Sequence, residues 1–337
     1  MTTLDVLINL GLITIGVALL YYGAEFLVRG GVSLALRAHI SRLVIGLTLA
    51  AFATSAPELV VSIDSAMQGS ADISLGNVIG SNICNIALIL GLCALVHPMT
   101  FHANLKLFDL PVMLFSSLAL AGFYYVSHGI NRWEGVFFFL CILVYTIVNV
   151  ILSKKQEAEK AGLKKKTVDH AAEAGEGSEV MKSKERPLGV SCALLAVAGG
   201  VVMLMVGAKA FLVSTVAFAN VFGISDAVTG LTIVAVGTSL PELATSFVAA
   251  LKGENDIAIG NIVGSNIFNV FCILGIVPMI TPLTGQSIRG LDFAVLLGVS
   301  GALFLFGMFG KRLNRIQGTL LLTAYIVYTA YLVIHHA

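Results

Sequence analysis

Hydrophobic residues come in long blocks along this chain, separated by short polar breaks. Ten blocks stand out, at 4–28, 43–68, 73–96, 108–128, 134–152, 188–219, 226–251, 257–280, 290–309 and 316–334. A helix needs about 20 mostly apolar residues to cross the hydrocarbon core of a bilayer. Each block meets that length or nearly so, and none carries more than two Asp, Glu, Lys or Arg. The pattern predicts an all-α polytopic membrane protein with ten transmembrane helices. The sixth block is long enough to tilt or to run past the bilayer.

One polar stretch breaks the rhythm. Residues 153–187 carry Lys154, Lys155, Lys160, Lys164, Lys165, Lys166, Lys182, Lys184 and Arg186, with Gly175, Gly177 and Ser178 among acids. This composition reads as a solvated linker, helical in part at its start. It is too short for a folded domain. It divides the chain into residues 1–152 and 188–337, with five blocks in each.

Composition agrees with the blocks. The chain is 57% hydrophobic and 12% charged, with a mean hydropathy of +0.94. Those values exclude an ordinary soluble domain and a nucleic-acid binder. The first block is expected to be a span rather than a cleaved leader, because Met1–Asp5 has no basic residue. Cys84, Cys93, Cys141, Cys192 and Cys272 all fall in apolar runs without a CxxC pair. They read as small buried residues, not as a disulfide framework or zinc site.

The two halves repeat each other. Gly46–Gly91 aligns without a gap with Gly230–Gly275, and 24 of 46 positions are identical at an offset of 184. Gly23 and Ala24 match Gly207 and Ala208, while Asn131, Arg132 and Gly135 match Asn314, Arg315 and Gly318. Five spans is an odd number, so the second repeat must enter the membrane inverted. Inverted repeats with broken helices near the midplane recur in transporters. With the 153–187 linker on the cytoplasmic side, 17 of the 20 Lys and Arg lie inside. Only Arg132 and Arg289 lie outside, and Lys209 falls within a span. That bias places both termini outside a cell membrane.

Each repeat carries two motifs. The first is Ala53-Thr54-Ser55-Ala56-Pro57-Glu58, mirrored as Gly237-Thr238-Ser239-Leu240-Pro241-Glu242. The second runs from Gly76 and Asn77 through Gly80, Ser81 and Asn82 to Asn85; Gly260, Asn261, Gly264, Ser265, Asn266 and Asn269 mirror it. A carboxylate at membrane depth is costly and marks function. Glu58 and Glu242 are expected to meet at one central locus. Pro57 and Pro241 each remove an amide donor, freeing the carbonyls of Ala53 and Gly237 and distorting the turn. Such carbonyls are tolerated at depth where a cation or a water-filled cavity satisfies them.

Hydroxyls, carbonyls and carboxylates make an all-oxygen set, which favours Ca2+, Mg2+ or Na+ over transition metals. Apolar surroundings disfavour Mg2+, which gives up water reluctantly. Two carboxylates are neutralised by one Ca2+ or by two Na+, a balance suited to exchange. An empty pair would be neutralised by protons instead. Ser81 and Asn85, four residues apart, share a helix face. Gly76 and Gly80 read first as a packing pair, and Asn77 and Asn82 as interhelical hydrogen-bonding groups. Glu25 is expected to pair with Lys209. Asp64 is expected at an outer end, and Asp72 and Asp256 at helix N-termini.

These motifs resemble the repeats of the calcium/cation antiporter superfamily of sodium/calcium exchangers, in particular its small bacterial members without a regulatory domain. The resemblance covers the whole chain except 153–187. It implies a Ca2+ site from Glu58, Glu242, Thr54 and Thr238. It implies Na+ sites or site lining from Ala51, Ser55, Ser81, Asn85, Ala235, Ser239, Ser265 and Asn269. It also implies that the first and sixth spans slide across the rest during alternating access. Some members carry Asp where this chain has Asn269, and Gly where it has Ala53.

The expected function is a secondary antiporter exchanging Ca2+ for Na+, with no enzymatic step and no organic cofactor. Its partners are the two ions and the lipid bilayer, and a single chain is the working unit. H+- or K+-coupled Ca2+ exchange is the rival within the class. A passive cation channel is the rival outside it, disfavoured because tight deep sites slow conduction. Hydrolase chemistry is remote, since Ser55 and Ser239 have no base in their motifs and HExxH is absent from the sequence.

Overall fold

In the computed structural model, which describes residues 3–173, 187–221, 235–284 and 288–336, the apolar blocks are helices. The first repeat opens with α1 (Thr3–Ala38). The bent pair α2 (Arg42–Thr54) and α3 (Ala56–Met67) follows, then α4 (Ala71–Val96), α5 (Leu105–Ser127) and α6 (Arg132–Glu173). The second repeat holds α7 (Val190–Val221), α8 (Ala235–Thr238), α9 (Leu240–Leu251), α10 (Asn255–Ile280), α11 (Gly290–Phe309) and α12 (Arg315–His336). Among the described residues, eight helices are long and apolar enough to cross a bilayer, and the bent α2–α3 pair makes a ninth. The expected block at 226–251 is seen as α8 and α9; its first nine residues lie outside the described ones.

Local chemistry sets the helix ends. Asn131 accepts from the amides of Trp133 and Glu134, and Glu134 accepts from the Asn131 amide at 2.8 Å. Asn314 and Gln317 make the same reciprocal cap on α12, at 3.0 Å each way. Gly69 and Gly253 end α3 and α9 at φ +78° and +74°. At both turns the next amide bonds back five residues, Ser70 to Ser65 and Glu254 to Ala249. A left-handed closing residue of this kind favours glycine.

Helix ends gather in two sets. At one end Arg42 meets Glu254 at 2.6 Å, His102 meets Asp256 at 2.8 Å, and β1 (Met99–Thr100) pairs antiparallel with β2 (Arg312–Leu313). At the other end Ile130 and Leu283 exchange backbone bonds of 2.7 and 2.9 Å. The two β pairings are a small departure from an all-α fold: two short connections on one face satisfy each other's backbone groups.

Close backbone approach organises the middle. A Cβ on Gly23 would lie 2.9 Å from the Gly200 carbonyl, and one on Gly200 2.7 Å from the Gly23 carbonyl. Gly16 and Gly207 are related in the same way, so α1 and α7 run antiparallel along a seam of glycine. Gly260 and Gly264 lie equally close to Leu43 and Leu47 of α2. The residues that would stand in that relation to Gly76 and Gly80 fall at 227–231, outside the described ones. The main core cluster draws heavily on α4 and α10, while α1, α7 and α12 turn many apolar side chains outward.

Several expectations need correction. Glu25 pairs with Lys252 of the α9 end at 2.8 Å, not with Lys209. Ser153 is buried, not solvated, and its hydroxyl accepts from the Ser41 amide at 2.8 Å. Helix α6 continues through it to Glu173, in keeping with the helical start expected of the linker; from Ser153 on, that run holds no proline, and Gly162 is its one glycine. Cys84, Cys93 and Cys272 are buried, but Cys192 is exposed on α7. Asp64 is exposed near the end of α3, and Asp72 and Asp256 stand in the first turns of α4 and α10, as expected.

Candidate ion site

Serine marks both breaks. Ser55 sits between α2 and α3 at φ −84° and ψ 4°, and the two helices meet at 43°. Ser239 sits between α8 and α9 at φ −86° and ψ 9°. Pro57 and Pro241 therefore occupy the first turn of a new helix. There the missing amide costs little, so the proline ends one helix and starts another rather than kinking a continuous one. Glu58 and Glu242 fall in those first turns, where the helix dipole favours a negative charge.

The partners of these groups cross between the repeats. Ser55 Oγ donates to Glu242 Oε1 at 2.9 Å. Thr54 Oγ1 lies 3.2 Å from Asn261 Oδ1, 3.5 Å from Ser265 Oγ and 3.4 Å from the Ala51 carbonyl. The charge of Glu242 and the hydroxyl of Ser239 both bear on Glu58. Asn269 Nδ2 donates to Asn82 Oδ1 at 3.0 Å, and Asn82 Nδ2 to the Asn266 carbonyl at 3.3 Å. Asn85 and Asn269 both lie in π-helical turns, Cys84–Leu90 and Asn269–Ile273, a distortion frequent at functional sites.

Thr54, Ser55, Glu58, Ser81, Asn85, Thr238, Ser239, Glu242, Ser265, Asn269 and Ala51 are all buried. Ala235 begins α8, and its side chain is outside the described set. Many of the polar atoms have no protein partner: both carboxylate oxygens of Glu58, Glu242 Oε2, Ser81 Oγ, Ser239 Oγ, both amide atoms of Asn85, and Asn269 Oδ1. Buried polar groups are nearly always paired, so a group of unpaired oxygens points to a ligand. Among the described residues no Lys or Arg is ion-paired with either glutamate. No three His, Cys, Asp or Glu cluster there either, so the oxygens beside the two carboxylates come from hydroxyls, amides and backbone.

Supporting residues had a weaker signal in the sequence. Asn77 Nδ2 donates to Ser62 Oγ and Asn261 Nδ2 to Ser246 Oγ, both at 3.0 Å. Each serine follows its glutamate by four residues, on the same helix face, and the pair is identical in the two repeats. Thr245, buried without a partner, has valine as its counterpart and no such signal.

The family model described as sodium/calcium exchanger protein matches residues 8–151 and 192–334. The chain belongs to the sodium/calcium exchanger protein family. The unmatched stretch between the two parts of the exchanger model contains the 153–187 linker. The chain is 35% identical over 331 residues to inner membrane protein YrbG of Escherichia coli strain K12, covering 97% of both chains. It is 31% identical over 350 residues to the sodium/calcium exchanger MaX1 of Methanosarcina acetivorans, covering 95% of this chain and 97% of that one. A structure of the sodium-calcium exchanger NCX_Mj, soaked with Na+ and Ca2+, matches with a TM-score of 0.79 at 31% identity. That match covers 98% of this chain and 99% of the other.

Proposed function

We propose that this exchanger-family chain is a secondary active antiporter that moves Ca2+ in exchange for Na+ by alternating access. The observation that carries it is the pair Glu58 and Glu242, buried, without a basic partner, amid unpaired oxygens. Two carboxylates in a low dielectric demand two positive charges. One Ca2+ or two Na+ meets that demand, so replacing one load by the other keeps the site neutral through the cycle. The Ca2+ ligands are Glu58, Glu242, Thr54 and Thr238. Ala51, Ser55, Ser81, Asn85, Ala235, Ser239, Ser265 and Asn269 serve Na+ or line the site.

We read the architecture as ten spans in two inverted repeats, 1–152 and 188–337, joined by a cytoplasmic linker with both termini outside. Reciprocal pairing supports the inversion. Ile130 with Leu283 mirrors Met99 with Leu313, and Tyr145 on Asp109 mirrors Tyr328 on Asp292. Ser117 and Ser300, 183 residues apart, face each other at 3.3 Å. The single chain holds both halves of the site, so a monomer suffices.

Proteoliposomes test the function. Loaded with Na+ and diluted into Na+-free Ca2+ buffer, they should accumulate Ca2+. Uptake driven by a pH gradient and not by Na+ would favour a proton-coupled exchanger. Ca2+ flux without any counter-cation would favour a channel.

A further inference from the structure

An asparagine can serve a cation only through its oxygen. Its amide oxygen and nitrogen are alike in outline, so the surrounding hydrogen bonds decide which faces the ion. For Asn269 those bonds form a chain with one possible direction. Its root is the backbone carbonyl of Asn266, which can only accept. Asn82 must therefore turn Nδ2 toward it, as it does at 3.3 Å. That leaves Asn82 Oδ1 facing Asn269, which must answer with Nδ2, as it does at 3.0 Å. Asn269 Oδ1 is then the free end, buried and without a protein partner. The π-helical turn that carries Asn269 packs against α3, the helix that carries Glu58.

We propose that Asn82 is a positioning residue: it fixes the amide of Asn269 so that an oxygen, never the NH2 group, is presented to the transported cation. Asn82 spans the repeats to do this, since its two partners both belong to α10. The counterpart relay is not made. Asn85 has neither amide atom paired, and Asn266 spends its Nδ2 on the Ile262 carbonyl at 2.7 Å. One side of the site therefore offers a fixed oxygen and the other an amide that no hydrogen bond orients. Asn269 carries no charge, so only its orientation makes it a cation ligand.

The inference rests on the proposed ion site but predicts something finer. Ca2+ binding to the purified full chain is measured by equilibrium dialysis for wild type, Asn82→Leu, Asn269→Asp and the double variant. Asn82→Leu should weaken binding by about tenfold, the worth of one well-placed hydrogen-bonding group. On the Asn269→Asp background it should not weaken binding, because a carboxylate presents oxygen whichever way it turns and has no N–H for the fixed Asn82 Oδ1 to accept from. A merely structural Asn82 would lower affinity equally on both backgrounds, and that result overturns the proposal, as does unchanged binding in Asn82→Leu. Asn82→Ala cuts the relay without adding bulk and carries the same expectation should the leucine variant not fold. Wild-type protein that binds Ca2+ but shows no Na+-driven flux sinks the exchange reading and leaves the relay standing; wild-type protein that binds no Ca2+ overturns both.

Discussion

Ser55 Oγ donates to Glu242 Oε1 at 2.9 Å, joining the break in the first repeat to the carboxylate of the second. The mirror contact is looser: the Ser239 hydroxyl bears on Glu58, but neither Ser239 Oγ nor either Glu58 oxygen makes a close hydrogen bond. Removing one partner of a buried hydrogen bond leaves the other unsatisfied, at a cost of about 1–3 kcal/mol. Ser55→Ala should therefore lower the melting temperature of ion-free protein by more than Ser239→Ala does. Both should weaken Na+-dependent Ca2+ uptake. Equal thermal shifts in the two variants would mean that the asymmetry is not a property of the ion-free protein.

Glutamine at either carboxylate separates charge from shape. Glu58→Gln and Glu242→Gln keep the side-chain volume but leave one negative charge to face a divalent ion. Ca2+ would then sit in the apolar interior with its charge half compensated, which is unfavourable. Each variant should express and fold like wild type and show uptake no higher than that of protein-free vesicles. Retained Ca2+ flux in either one removes the two-carboxylate site.

Much of this was legible because the repeat carries its own check. Serine followed two residues later by proline and then glutamate recurs at Ser55 and Ser239, and both serines are helix breaks. The core repeats at an offset of 184 and the caps at Asn131 and Asn314 at 183, and the pairings follow those offsets. What escaped depends on how the helices are set against each other. Position in the repeat sets Glu25 against Lys209, yet α1 packs against the end of α9 and brings it to Lys252. The π-helical turns at Asn85 and Asn269 add no residue type that a sequence pattern marks. The direction of the Asn82 relay comes from a backbone carbonyl, which every residue has.

Away from the ion site, Asp109 is fully buried, and its Oδ1 accepts from Tyr145 at 3.0 Å and Asn149 at 3.2 Å. Its other oxygen has no partner. Tyr145→Phe should lower stability by about 1–3 kcal/mol, through a buried carboxyl left short of a donor. The mirror change, Tyr328→Phe, should cost less. Asp292 there is only partly buried and also accepts from the Arg289 amide at 2.9 Å. Unfolding of the two purified variants in parallel checks the order, and a larger loss for Tyr328→Phe would contradict it.

The glycine seam makes the sharpest contrast between neighbouring residues. Gly199 and Gly200 are adjacent on α7, and alanine is the better helix former at both, by about 1 kcal/mol. A Cβ at Gly199 meets nothing within 4 Å. One at Gly200 would lie 2.7 Å from the Gly23 carbonyl and 2.8 Å from the Leu27 amide, both backbone atoms that cannot turn aside. Gly199→Ala should therefore exchange ions at the wild-type rate. Gly200→Ala must push α1 and α7 apart, and if these two helices move together across the rest of the bundle, its turnover should fall while Ca2+ binding to the purified protein stays near wild type. The measurement is initial uptake rate beside equilibrium binding for both variants. A fall in binding as large as the fall in rate would show that the seam shapes the ion site itself rather than the motion.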